Sequence, residues 1–435
     1  MSENKYEDLS KKLNRVMTDL SMHPDEPRTT ATVSSIAEKR RYKNRRGTSL
    51  ASHLVVVEQD GVFRLTDKPP RSRPGSGGRR GIHRPGRAMG TIVAEHPIQL
   101  LPHSQIPGAI AKLDDKLTPQ RGIRMVKQGR IVGKGDDVSP IHQGKILLFV
   151  HGTFSESEAF LKQIKRPSFT QGRRFLNWAN KGYDQILTFD HPTLAVSPMI
   201  NARELAWRLK DTHADIDVIC HSRGGLVTRW WLEAFDRGLG KRRVVFVASP
   251  LNGTGLAAPP NIRHAIDMVF TMGNAIAKVT AAIPFMAFAT GLFQIVNSIT
   301  RIAAKTPLVD SIVAMVPGLA AQARVENNFE RKSLRLDAYR ESQKSYFAIV
   351  SNFESEKVGW KFWRHFRKKN LLDSGMDTIF EGPNDLVVDT SSMTSLKDGL
   401  RIPNANVYDY GTTDKIYHTN YFEQSESLDF IMNKL

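Results

Sequence analysis

From Lys145 onward, short apolar runs alternate with amphipathic stretches. The runs Ile146–Val150, Gln185–Phe189, Asp217–Cys220, Val244–Ala248 and Tyr346–Val350 are four or five residues long and rich in Val, Ile, Leu or Phe. Strands covered on both faces need no polar alternation, so these runs predict a mostly parallel sheet of the α/β class. Amphipathic stretches such as Ala202–Lys210 and Gly225–Phe235 predict the crossover helices that flank it. Residues 256–323 break the rhythm with a long apolar tract that includes 279–299. Pro284, Gln294, Asn297 and Ser298 lie within it, which favours a helical insertion packed over the sheet above a membrane-spanning helix.

The first 140 residues have a different texture. They hold 26 Lys+Arg and 15 Asp+Glu, which is +11 of the chain's +18. Six of the eight residues from Lys39 to Arg46 are basic, and six arginines lie among Pro, Gly and Ser between Arg71 and Arg87 without one acid. Both stretches read as solvated segments without a core. Between them Leu54–Val57 and Val62–Leu65 flank an Asp60-Gly61 pair, the signature of a small hairpin. Two regions are therefore expected: a basic, partly disordered N-terminal region over 1–140 with a small β element, and an α/β domain over 141–435 carrying the insertion at 256–323.

With 435 residues and a hydrophobic share of 40%, the chain has ample material for a core. One cysteine excludes an intramolecular disulfide and any multi-cysteine zinc site. The opening MSENKYEDLSKKLNRV is charged and has no apolar run, so a reducing cytoplasm is the expected location.

Candidate chemistry centres on Asp217-Val-Ile-Cys-His-Ser-Arg-Gly-Gly-Leu-Val227. A strand, a tight turn with Ser222 at its tip and small residues opening a helix describe a nucleophile elbow, in which close crossing of strand and helix pushes the hydroxyl over the sheet's end. Upstream, Ile146-Leu-Leu-Phe-Val-His-Gly-Thr-Phe154 is a strand ending at His151-Gly152. A turn there supplies a backbone amide to a developing oxyanion, with Thr153 the expected donor and Arg223 the second. A serine needs a base, and the base needs an acid to fix its tautomer. Asp385, on a Gly-Pro-Asn turn after an expected strand, and His418, on a loop before the C-terminal helix, follow in the order Ser, Asp, His. Asp373, Asp377, Asp389, Asp409 and Asp414 also lie between nucleophile and base, with Asp409 the second choice.

The ordered set His151-Gly-Thr-Phe154, Cys220-His-Ser-Arg-Gly-Gly225, Ala248-Ser-Pro-Leu-Asn-Gly-Thr254, Gly382-Pro-Asn-Asp385 and Tyr417-His418 resembles the α/β-hydrolase superfamily. Within it the sequence looks most like bacterial lipase-like, PGAP1-like serine hydrolases, including hydrolase modules found beside CHAT domains. The resemblance covers about residues 145–435. It implies an α/β-hydrolase fold with Ser222 as nucleophile, His418 as general base and then acid, Asp385 as the orienting carboxylate, and Thr153 with Arg223 as the oxyanion hole. It also implies that 256–323 occupies the slot of a lid. Cys220 stands where such proteins most often have glycine, and Leu386 where they often have glycine after the aspartate.

An apolar lid points to a lipid or another hydrophobic carboxylic ester as substrate. No metal or organic cofactor is implied. Lys357–Lys369 interleaves four large aromatics with six basic residues, a composition suited to peripheral contact with an anionic membrane. The basic N-terminal region suits an acidic partner; without a helix-turn-helix, zinc-finger or RNA-binding signature, sequence-specific nucleic-acid binding is not expected. Two alternatives stand beside the serine esterase: a non-catalytic interaction protein on a hydrolase fold, and a serine amidase or thioesterase.

Overall fold

A computed structural model of the chain describes residues 51–59, 62–66, 91–99, 101–135, 138–258, 261, 292, 295–296, 298–299, 316–324, 328–334, 344–354, 380, 382–397 and 399–435. The chain divides into two compact units, residues 1–109 with 263–307 and residues 110–262 with 308–435.

In the first unit, β1 (Ala51–Gln59), β2 (Val62–Thr66) and β3 (Thr91–Gln99) form an antiparallel sheet in the order β2-β1-β3. Gln59 faces Val62 across the β1-β2 pair, as a hairpin requires; Asp60 and Gly61 themselves lie outside the described residues. The third strand lies beyond the Arg/Gly/Pro stretch and carried no comparable signal. The amide of Leu101 donates to Ser298 Oγ at 2.9 Å. Most of the expected insertion at 256–323, and the aromatic-basic segment 357–369, lie outside the described residues.

The second unit begins with α1 (Ile106–Leu117), most of which it contains, and the hairpin β4 (Gly122–Lys127) and β5 (Arg130–Val132). It continues through β6 (Lys145–Val150), α2 (Glu158–Ile164), α3 (Thr170–Gly182), β7 (Gln185–Asp190), α4 (Pro198–Arg208), β8 (Asp215–His221) and α5 (Gly224–Trp230). A π-helical turn at Trp231–Phe235 leads to β9 (Arg242–Val247). After the apolar tract come α6 (Pro317–Ala320), α7 (Phe329–Lys332), β10 (Lys344–Phe353), a ribbon of β11 (Ser395–Lys397) and β12 (Leu400–Arg401), β13 (Val407–Thr413) and α8 (Ser425–Lys434).

Eight strands make one sheet in the order β13-β10-β9-β8-β6-β7-β4-β5. Every pairing from β13 to β7 is parallel, and the β4-β5 hairpin runs antiparallel at one edge. This is the mostly parallel, helix-flanked α/β arrangement expected from the sequence. The hairpin lies upstream of residue 140, so the sheet starts earlier than the boundary the charge pattern suggested. Central strands are buried along nearly their whole length, which is why they read as uninterrupted apolar runs. Among the described residues no helix is long and apolar enough to cross a membrane.

Asp114, fully buried on α1, fixes the loop that leaves β7. Its carboxylate accepts the amides of Thr193 at 2.8 Å, Leu194 at 2.9 Å and Ala195 at 2.5 Å. Removing it strands three amide donors, two of them, on Thr193 and Leu194, buried. Asp114→Ala is expected to lower unfolding free energy by about 3 kcal/mol, read from urea midpoints; a loss within about 0.5 kcal/mol, the range of an ordinary surface substitution, would contradict this role.

Candidate active site

β8 delivers Ser222 at its carboxyl end and α5 leaves two residues later, so the chain reverses within a single residue. Ser222 takes φ +52°, in the left-handed region, and its amide donates to Val247 O at 2.9 Å on the neighbouring strand end. Missing side chains make this path open. A Cβ on Gly224 would lie 2.3 Å from Val150 O, one on Gly225 2.4 Å from Ser249 Oγ, and one on Gly152 2.8 Å from the Ser222 Cβ. Cys220 tolerates the position two before the serine because its side chain packs inward, fully buried, with Sγ 3.6 Å from Val245 O. Burial pushes its thiol up to about 12, so it stays a neutral packing group.

Ser222 Oγ donates to His418 Nε2 at 2.9 Å, and His418 Nδ1 lies 2.8 Å from Asp385 Oδ2. Asp385 is fully buried, while Ser222 and His418 are each 5% exposed. The carboxylate is satisfied on both oxygens. Oδ1 accepts the amides of Val387 at 3.1 Å and Val388 at 2.9 Å, and Oδ2 also accepts the Tyr421 hydroxyl at 3.2 Å. An acceptor-only carboxylate on Nδ1 fixes the proton there and leaves Nε2 as the base toward the serine. The His418 amide donates to Asp385 O at 3.0 Å, tying the two loops by backbone as well.

The other acids are placed elsewhere. Asp389 pairs with Arg324 at 2.9 Å. Asp409 is exposed on β13 and accepts the Gly411 amide at 2.8 Å. Asp373 and Asp377 lie outside the described residues. Leu386 follows the aspartate with φ +83°, so the expected preference for glycine there has a backbone cause. Among the described residues six non-glycine residues have positive φ, and four of them, Phe154, Ser222, Ala248 and Leu386, sit on the turns that build this site. Backbone strain is thus concentrated around Ser222, His418 and Asp385.

The turn after β6 brings Gly152 and Thr153 beside Ser222. His151 Nδ1 donates to Gly152 O at 2.9 Å while its Nε2 accepts the His191 amide at 3.1 Å, which locks the imidazole neutral. Thr153 Oγ1 donates to Gln322 Oε1 at 3.1 Å, and Gln322 Nε2 donates to Gly318 O at 2.8 Å. Among the described residues no protein group takes the backbone N–H of Thr153 or of Arg223.

Three neighbours carried no independent signal in the sequence, because each acts through a contact distant along the chain. Gln322 braces Thr153. Tyr421 braces Asp385 and sits 2.6 Å from Ser351 Oγ. His221 donates Nε2–H to His418 O at 2.7 Å, and burial pushes its imidazole down to about 3. Arg223 is fully buried, with Nη2 on Val196 O at 2.5 Å, Nε on Gly318 O at 3.3 Å and Nη1 without a hydrogen-bond partner. Burial lowers its guanidinium to about 10, and the carboxylates that offset this are those of Asp114 and Glu330.

A family model described as "Domain of unknown function (DUF7379)" matches residues 125–435. A search of curated proteins gave no match. Solved structures similar to the chain include the mature lipase BlEst2 of Bacillus licheniformis, at 15% identity over 71% of this chain and 98% of that one, TM-score 0.37. Lipase 1 of Pelosinus fermentans is 14% identical over 66% of this chain and 97% of its own, TM-score 0.44. A thermophilic esterase of Thermogutta terrifontis is 14% identical over 67% and 86%, TM-score 0.32.

Burial holds His151, His191 and His221 below the ordinary histidine range. The unfolded chain takes up protons at these rings below about pH 6.5 while the native state does not, so their contribution lowers stability as pH falls. His221→Gln removes one such ring. The stability difference between the parent and this variant is expected to shift against the parent as pH drops from 6.5 toward 3, in urea titrations; a difference constant with pH would contradict the buried neutral state.

Proposed function

We propose that this chain, which belongs to the family described as "Domain of unknown function (DUF7379)", is a serine hydrolase that cleaves a carboxylic ester through an acyl-enzyme. One observation carries the reading: the continuous chain of hydrogen bonds from Ser222 Oγ to His418 Nε2 at 2.9 Å and from His418 Nδ1 to Asp385 at 2.8 Å. A binding scaffold has no need of a base within reach of a strained, glycine-flanked serine backed by a satisfied carboxylate.

In this reading Ser222 Oγ attacks the ester carbonyl carbon as its proton passes to His418 Nε2. The carbonyl oxygen becomes an oxyanion and receives the amides of Thr153 and Arg223, which no protein acceptor among the described residues occupies. Collapse of the adduct breaks the bond to the alcohol, which leaves with the proton from His418. Water then repeats the sequence on the acyl-enzyme and restores the serine. Asp385 keeps its negative charge throughout and stabilises the imidazolium. The apolar composition of 256–323 supports a lipid-like or other hydrophobic acyl group, held beneath a lid.

Turnover of p-nitrophenyl esters of increasing acyl length, alongside a thioester and an anilide, tests the reading. Esters are expected to react fastest, with longer acyl chains preferred. Ser222→Ala and His418→Ala are each expected to lower kcat/KM by about 10³-fold or more, and Asp385→Asn by about 10³ to 10⁴. Absence of turnover of every substrate by the folded parent protein would overturn the reading, and faster turnover of the thioester or anilide would correct its leaving group.

A further inference from the structure

One helix face is left in solvent with the wrong composition for an ordinary surface. On α4, Ile200, Arg203 and Trp207 recur at helical spacing and point outward, opposite the buried Ala202 and Leu205. Among the described residues five large hydrophobic side chains are strongly exposed, and four of them lie on or beside this helix. Ile200 and Trp207 belong to it, with Trp207 64% exposed. Phe329, 74% exposed, adjoins Glu330, which accepts the Met199 amide at 2.8 Å at the helix's start. Leu239, 86% exposed, follows Gly238, which shares a cavity of about 300 Å³ with Trp207 at the helix's end.

The charges on this face have one sign to spare. Arg203, Lys210 and Arg237 border that cavity. Among the described residues neither Arg203 nor Arg237 has an ion-pair or hydrogen-bond partner. Two of the nearby acids are engaged, Glu204 by Arg208 at 2.9 Å and Asp236 by Arg242 at 3.0 Å. Lys210 lies over the Trp207 ring at 5.4 Å and reaches the exposed Asp211 only at 4.0 Å. Single apolar side chains set among cations suit a water–lipid boundary, where the rings and aliphatic tips enter and the cations stay at phosphate level. A second copy of this chain is a poor occupant, because a two-fold contact would set these cations against their own equivalents.

We propose that this face docks on an anionic lipid bilayer, with Trp207 and Leu239 entering the headgroup layer and Arg203 and Arg237 set against lipid phosphates. The surface shares no residue with the serine site and is independent of the hydrolase reading. The test is co-sedimentation of the full chain with phosphatidylcholine vesicles, with and without phosphatidylserine, at low and physiological salt. Binding is expected only with phosphatidylserine and is expected to weaken with salt. The pairs Trp207→Ser with Leu239→Ser, and Arg203→Gln with Arg237→Gln, are each expected to weaken it about tenfold or more. Unchanged thermal midpoints identify both as folded whether or not the protein hydrolyses esters, and soluble-ester turnover, where present, is expected to stay at the parent level. Three results would overturn the proposal: no binding to the anionic vesicles, equal binding by parent and variants, or full competition by free glycerophosphate, which would mark a small-anion site.

Discussion

At φ +52° Ser222 carries a Cβ in a backbone region that costs an L-residue about 1 kcal/mol or more, and it stays there because its neighbours leave the chain no other path. Its amide is pinned to Val247 O, the helix behind it presses against Val150 O at Gly224, and Gly152 closes from the facing turn. The last two contacts each require the absence of a side chain at one named glycine. Together they place one hydroxyl beyond the carboxyl edge of the sheet. His418 and Asp385 are arranged with respect to that point, because β10 and β13 bring their loops to the same edge.

Polarity inside the site is almost fully matched. Asp385 has four donors and needs no cation, His151 is neutral between a carbonyl and an amide, and His221 spends its proton on His418 O. Arg223 is the exception, a buried guanidinium with two carbonyl acceptors and one nitrogen unmet, on the residue after Ser222. A buried charge this poorly compensated is expensive for folding. It ties the loop after β7 to α6 on the residue that directly follows Ser222.

The central strands were legible because burial on both faces writes itself as an apolar run. The edges were not: β4 and β5 mix buried and exposed positions, and β13, Val407-Tyr-Asp-Tyr-Gly-Thr-Thr413, is only half covered and has no clean alternation. In the site, the elbow was legible because its geometry demands small residues at fixed offsets from Ser222. The choice among acids rested on turn composition alone, and three-dimensional placement separates Asp385 from Asp389, which is held by Arg324, and from Asp409, which faces solvent. Gln322, Tyr421 and His221 act through partners 169, 36 and 197 residues away, separations at which no local pattern speaks.

The central claim is that Ser222 is an activated nucleophile, and covalent capture tests it most directly. The purified protein would be treated with a fluorophosphonate and the adduct located by peptide mass, with Ser222→Ala as control. The account predicts one adduct on Ser222, absent from the variant and slowed when His418 is replaced by alanine. A folded protein that stays unlabelled with detergent or lipid present, or labels equally well without Ser222, would contradict it.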